Sequence, residues 1–396
     1  MELLSPAGDN VKLLAALAYG ADAVYVGGRQ YGLRQASRNF SDDELKEACE
    51  TVHAKGKKLY LTVNATPYSD ELSSVAAFLE TAAEAGVDAF IIADLGVMEL
   101  AKHHAPQVPI HMSTQTGVVN TETARALERL GASRLVLARE LPLDDIAAIK
   151  KATSAEIEVF VHGAMCVSYS GRCLLSNYMA SRDANRGQCA QPCRWNYALM
   201  EEKRPGEYFP VYEDGGTYIL NSKDLCLIEH LDKLRDAGVD SLKIEGRVKT
   251  DFYVATVTGA YRRALDDLQN DRPFDRTLLE EVCKVSHRAY YTGFLFGDRA
   301  DGQSYTESTY IRDYEIVATI EGTCKGNLLC RTKNPFSVGD TVELLTPRGV
   351  KTFPVERITS PDGTEMPCAN HPEQIVAVPF EGEAETPAFL RKSCKE

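Results

Sequence analysis

Four of the chain's eleven cysteines fall in one stretch, "CVSYSGRCLLSNYMASRDANRGQCAQPC", from Cys166 to Cys193. Chance placement would put roughly one there. The neighbours are Ser, Gly, Asn and Arg, whereas a buried free thiol prefers apolar company. Thiolates converging from a polar loop suit a metal site, because they are soft ligands and the metal neutralises their charge. The spacing is C-x6-C-x15-C-x3-C. Four cysteines can close a structural zinc site or hold an iron–sulfur cluster. Zinc sites more often use two tight pairs, and only Cys189 and Cys193 are close here, so spacing alone leaves both metals open. Cys49, Cys226, Cys283, Cys324, Cys330, Cys368 and Cys394 are scattered through the chain and read as small hydrophobes.

A second set of residues sits where expected strands end. Asn64 ends one strand and Asp94 another. Period-two alternation puts His111, Ser113 and Gln115 on one face, and Glu158, Phe160 and His162 on another. Arg139 and Glu140 end a further strand. In "SLKIEGR" Lys243, Glu245 and Arg247 share a face, with Leu242 and Ile244 opposite. Buried charges of this kind must pair with one another or with a ligand. A structural ion-pair network accounts for any one of them, and a hydrogen-bonded core histidine accounts for His162. His162 gains interest from lying four residues before Cys166. Tyr169, Arg172, Arg182, Arg186 and Trp195 are expected to line an approach to the cysteines. Trp195, the single tryptophan, either packs a hairpin or stacks an unpaired base or flat acid.

These residues need elements to position them. One unit recurs: helix, then small-Gly-small, then buried strand, as in "LLAALAYGADAVYVGG", "FLETAAEAGVDAFIIAD", "ALERLGASRLVLARE" and "LDKLRDAGVDSLKIEGR". Strict alternation of this kind indicates parallel βαβ units. Eight such strands, "ELLSPA", "AVYVG", "KLYLTVN", "AFIIAD", "PIHMSTQ", "RLVLARE", "EVFVHG" and "SLKIEGR", predict an α/β fold, a TIM-like (β/α)8 barrel whose chemistry lies at the C-terminal strand ends. A doubly wound sheet of nine strands is the alternative. A cysteine-rich insertion spans 163–220, and "TYILNS" (217–222) is expected to pair with "WNYALMEE" inside it. Helices near 251–270 and 277–291 complete a domain over 1–306. From 307 to 396, short alternating strands between Gly, Pro, Asn and Asp turns predict a small C-terminal β-barrel domain.

Composition sets outer bounds. At 396 residues, 44% hydrophobic and 26% charged, the chain can bury a large core. "MELLSPAGDN" has no secretory pattern and no apolar run is long enough to span a bilayer, so a cytoplasmic protein with reduced thiols and no membrane contact is expected. A net charge of −13 argues against indiscriminate coating of nucleic acid. The segment from Cys166 to Tyr197 runs the other way, with four arginines against Asp183 alone, a local +3. There is no G-x-x-x-x-G-K-[ST], H-E-x-x-H or G-x-S-x-G, and "VGGRQYG" does not fit G-x-G-x-x-G.

"EVFVHGAMCVSYSGRCLLS" closely resembles the signature of the U-32 peptidase family, once called collagenase-like. "LLSPAGD", "DLGV", "HMSTQ", "LARELPL", "NSKDLCLI", "KIEGR" and "SHRAYYTGFLFG" resemble further blocks of that family, in order. The resemblance implies oxygen-independent hydroxylation, since family members act on the wobble uridine of tRNA, giving 5-hydroxyuridine, on a ribosomal RNA cytidine, or on a ubiquinone precursor. It also implies a 4Fe–4S cluster on Cys166, Cys173, Cys189 and Cys193, with prephenate as co-substrate for the RNA reactions. Length and the single C-terminal β domain look most like the tRNA group, whose substrate is an anticodon loop. On that reading Asn64, Gln115, Arg139, Arg172 and Arg247 bind substrate, and Lys243 joins the arginines on a small dicarboxylic acid. Glu245 and His162 move protons, and an electron-donating partner serves the cluster. A collagenase-like peptidase, and an RNA-binding protein with a structural metal site, are the competing readings. Nothing in the sequence sets the oligomeric state.

Overall fold

The computed structural model describes residues 1–34, 37–195, 206, 222–297 and 310–394, and the backbone alone at 199–200 and 208–209. Eight parallel strands close a barrel: β1 (Glu2–Pro6), β2 (Ala23–Gly27), β3 (Lys58–Val63), β4 (Ala89–Ile92), β5 (Ile110–Met112), β6 (Arg134–Val136), β7 (Glu156–Ala164) and, after an intervening β8 (Asp224–Cys226), β9 (Ser241–Ile244). Pairing of β9 with both β1 and β7 completes the ring. The glycine of each repeat, such as Gly20 and Gly238, takes left-handed backbone at the helix end, which lets the chain reverse into the next strand.

The strands are shorter than their apolar runs suggest. Asp94 lies past β4 and caps helix α4 (Leu95–His104), accepting from Val97 N at 3.0 Å, so it is a cap rather than a site residue. Strand β5 stops at Met112 and a 3-10 turn follows at Thr114–Thr116. His111 therefore stays in the barrel interior, edge-on to Tyr60, while Ser113 and Gln115 move to the rim. Short β8 was not foreseen: it runs antiparallel to the end of β7, with Leu225 opposite Gly163, and Tyr290–Tyr291 pairs beyond it. The expected helix over 277–291 is only Thr277–Val282, whereas the long helix α9 is Asp251–Gln269. In the insertion, Leu199–Met200 pairs with Tyr208–Phe209. Of the expected "TYILNS" strand, residues 217–221 lie outside the described residues.

The floor of the barrel is a closed ionic network. Arg134 on β6 meets Glu2 at 2.6 Å, Glu158 at 3.1 Å and Glu156 at 2.7 Å. Tyr60 and Ser241 donate to Glu2, and Lys243 donates to Glu158 at 2.7 Å.

The C-terminal region is an eight-stranded antiparallel sheet with its own core, including Val317, Leu328, Val342, Val376 and Leu390. Its last strand, Ala388–Ser393, runs between Tyr314–Cys324 and Thr341–Thr346. That strand buries Arg391 completely, and Arg391 is satisfied by Glu281 of the barrel domain and Glu343 of the sheet, both at 2.7 Å. Phe389 and Leu345 join the barrel's hydrophobic core, so the two domains are docked rather than merely linked. Among the described residues no helix is long and apolar enough to cross a membrane.

Candidate active site at the barrel mouth

At the C-terminal ends of the strands lies a void of about 1010 Å³, counting the part open to solvent. Seven of the eight barrel strands, or the loops after them, reach it. Tyr25 comes from β2, Thr62 and Asn64 from β3, Ile91 from β4, Ser113, Thr114 and Gln115 from after β5, Arg139 from after β6, and Phe160 from β7. Lys243, Glu245 and Arg247 line it from β9 and its exit. The cysteine loop supplies the remaining wall, and Cys166, Cys173, Cys189 and Cys193 all face the same void.

Of the four thiols, Cys193 feels the other three. Burial pushes the Cys193 thiol up, Arg194 pulls it down, and Cys166, Cys189 and Cys173 push it up further. Among the described residues no three His, Cys, Asp or Glu side chains are grouped as one metal ion would need. As a donor set, four thiols around one wall suit a thiolate-bound cofactor, and the loop that carries them is fastened to the barrel. Arg186 forks onto Glu71 at 2.7 and 2.8 Å and lies 4.5 Å over the ring of Tyr68, while Thr66 N donates to Asn185 O at 3.2 Å. Arg186 and the Tyr68 backbone hold the Glu71 carboxyl down at about 2.

The charged residues of the void are unevenly matched. Lys243 is spoken for by Glu158 and lies 4.6 Å over the ring of Tyr25; burial lowers its pKa. Glu245 is the one carboxylate lining the void among the described residues, with Arg139 at 3.4 Å and Arg34 at 3.5 Å. Burial pushes Glu245 up, but Arg34, Arg139, Arg247 and Lys243 together hold it below the usual carboxylate range. Arg247 is buried against Thr62 Oγ1 at 3.0 Å, and burial lowers it to about 10. Arg139 donates to Ala164 O, stacks 3.8 Å over Phe160, and leaves its buried Nε without a partner.

Arg34 was missed by sequence reasoning, because it lies in a loop with no periodicity. The nearby glycine marks Arg247 instead. A Cβ on Gly27 would stand 2.0 Å from Arg247 Nη1, so the glycine is there to let the guanidinium pass. Tyr25 and Thr62 were also missed; they are strand residues of ordinary type.

Two predicted site residues lie elsewhere. Arg172 is exposed, does not line the void, and lies across Gly117 on the rim beyond β5. His162 faces away from the mouth. Lys243 pairs with Phe160, but the next residue, Ile244, pairs with His162, so β7 carries one extra residue there. That bulge reverses the alternation and turns His162 outward with Ile244. Its ring is buried among Tyr253, Tyr261 and Tyr290, with Tyr290 OH 3.2 Å from Nε2, and burial lowers its pKa to about 3. It cannot exchange protons with a molecule in the void. Its backbone serves the site instead: His162 O accepts from Glu245 N at 2.9 Å, and Tyr253 OH donates to Glu245 O at 2.9 Å.

A (β/α)8 barrel with a polar void at the C-terminal strand ends, four cysteines in its wall, has the layout of a barrel enzyme. The chain belongs to peptidase family U32. The model of "Peptidase family U32" matches residues 8–304 and that of "Peptidase family U32 C-terminal domain" matches 312–391. Similarity to curated relatives runs along most of the chain. It is 40% identical to tRNA hydroxylation protein P of Escherichia coli K12, over 93% of this chain and 91% of that one. It is 37% identical to tRNA hydroxylation protein P1 of Bacillus subtilis 168, over 99% and 94%. It is 35% identical to the 23S rRNA 5-hydroxycytidine C2501 synthase of Escherichia coli K12, over 89% of this chain and 54% of that longer one.

Proposed function

We propose that the protein is an RNA-modifying hydroxylase that forms 5-hydroxyuridine at the wobble position of tRNA without molecular oxygen. The observation that carries this reading is that four thiols and a surplus of arginine open on one void. The relatives named for tRNA hydroxylation match nearly end to end, whereas the ribosomal RNA synthase is much longer, which favours tRNA. An anticodon loop suits the site, because an unpaired base can leave its stack and enter a pocket.

Cys166, Cys173, Cys189 and Cys193 would hold a 4Fe–4S cluster, which supplies electron transfer at the wall of the void when bound. Arg34, Arg139 and Arg247 would hold the carboxylates of a prephenate-like hydroxy diacid, by the forked contacts that guanidinium groups make. In the net exchange C5–H of the base becomes C5–OH and C–OH of the acid becomes C–H, which balances atoms and electrons. Glu245, ionised at neutral pH, would orient the base and accept a proton at C5. Lys243, fixed by Glu158, would stand as a donor below the acid. His162, buried among tyrosines away from the void, has no part in this proton path. A peptidase has less support: among the described residues no histidine lines the void.

The test is nucleoside analysis of tRNA and ribosomal RNA from a deletion strain with no parallel route. Loss of 5-hydroxyuridine derivatives from tRNA alone is expected. Loss from ribosomal RNA alone would move the substrate, and unchanged nucleosides in both would remove the reaction. Protein purified without oxygen should carry iron and sulfide; one zinc in colourless protein would remove the cluster.

A further inference from the structure

The outer face of the cysteine loop has no part in holding the thiols, and it is conspicuously apolar for an exposed surface. Tyr178 is 82% exposed, the most exposed large hydrophobic residue described in the chain. Trp195 on the same loop is 42% exposed, whereas Tyr169, 48% exposed, lines the void. Single exposed hydrophobes need no explanation, but two exposed aromatics on one short loop, neither lining the void, do. The fold does not need the Tyr178 ring: it projects from the short helix α7 (Leu175–Ala180), whose Ser176 is the buried residue and accepts from Ala190 N at 3.0 Å. On the same loop the side chains of Arg172 and Arg182 are exposed. With Arg186 engaged by Glu71, the loop still sets Arg172, Arg182 and Arg194 against Asp183, on a chain of −13.

We propose that this face is a stacking platform for unpaired nucleotides flanking the one that enters the void. Bases stack on Tyr178 and Trp195, and Arg172 and Arg182 take the adjoining phosphates. The inference rests on RNA being the substrate and adds how it is held. Aromatic rings accept any base by its flat face, and only unpaired bases offer that face. A local cationic patch on an acidic body attracts the loop while repelling long duplex RNA. The platform therefore selects single-stranded loops before the void selects the base.

Because Trp195 is the only tryptophan, its emission reports the platform directly. The probes are an RNA stem-loop with a loop of anticodon size and a blunt duplex of matching sequence, each titrated into the anaerobically purified full chain. The stem-loop should quench Trp195 and the duplex should not. Tyr178→Ala should weaken stem-loop binding by about tenfold or more, the loss of one base stack, with an unchanged melting temperature. Arg182→Ala should reduce the slope of log K against log salt by about one. Equal quenching by stem-loop and duplex, or wild-type affinity in Tyr178→Ala, overturns the platform. The reaction is judged separately. If Tyr178→Ala binds and restores hydroxyuridine as wild type does, the platform falls and the reaction stands. If the stem-loop binds as described but no hydroxylated nucleoside is ever formed, the reaction falls and the platform stands.

Discussion

The floor and the mouth of the barrel both gather buried charge, and they settle it differently. On the floor, Arg134 and Lys243 face Glu2, Glu156 and Glu158, and each cation has a carboxylate within 3.1 Å. At the mouth, Arg34, Arg139 and Arg247 share Glu245, at 3.4 Å or more for the two that reach it as ion pairs. A network that closes on itself holds the barrel together. A network left cationic holds room for an anion from outside, and a thiolate-held cluster beside it would carry negative charge that the same arginines offset. Lys243 joins the two, tied to the floor and lining the mouth.

The comparison can be broken most forcefully from below. Glu158→Ala strips the floor of its central anion and should cost about 3–5 kcal/mol of stability, read by chemical denaturation. A loss well under 1 kcal/mol would mean the floor is not the structural network described. His162 offers a pH test on the same strand. Its folded pKa of about 3 lies below its usual value near 6.5, so the unfolded chain takes up a proton that the folded chain refuses. Stability present above about pH 6.5 is lost as pH falls toward 3. At pH 4.5 the loss from this residue should be about 2–3 kcal/mol, and His162→Gln should flatten the slope without flattening the pH profile of hydroxylation.

Arg247→Met sharpens the contrast from above. Replacing a surplus buried cation by an apolar chain of similar length should change stability by no more than about 1 kcal/mol. RNA hydroxylation should fall by roughly ten- to a hundredfold, the loss of one charged hydrogen bond to the acid. The smallest effect is expected at the fastening of the cysteine loop. Glu71→Gln should leave the melting temperature in place while iron is lost faster to a chelator, because the pair it breaks is partly exposed.

Much of this division was legible in the residues. The helix–Gly–strand unit announced the barrel, the density of thiols marked the loop that walls the void, and the alternation of Lys243, Glu245 and Arg247 against Leu242 and Ile244 placed three charges at the mouth. What was hidden breaks local periodicity. A single extra residue in β7 reverses His162, and alternation counted along one strand cannot register a slip against its neighbour. Arg34 reaches the mouth from a loop with no periodicity, so nothing in the residues around it marks it. The strand Ala388–Ser393 ends in Arg, Lys and Ser, so its burial shows only once Glu281 and Glu343 are seen around Arg391.

The most direct test joins the two features of the mouth in one experiment: tRNA nucleosides measured by mass spectrometry in the deletion strain carrying wild-type protein, Cys173→Ser or Arg247→Met, each confirmed folded and equally abundant. Wild type should restore 5-hydroxyuridine derivatives, Cys173→Ser should restore none, and Arg247→Met only a small fraction. Full restoration by Cys173→Ser would contradict the account, because the thiols would then have no part in what the arginine-lined void does.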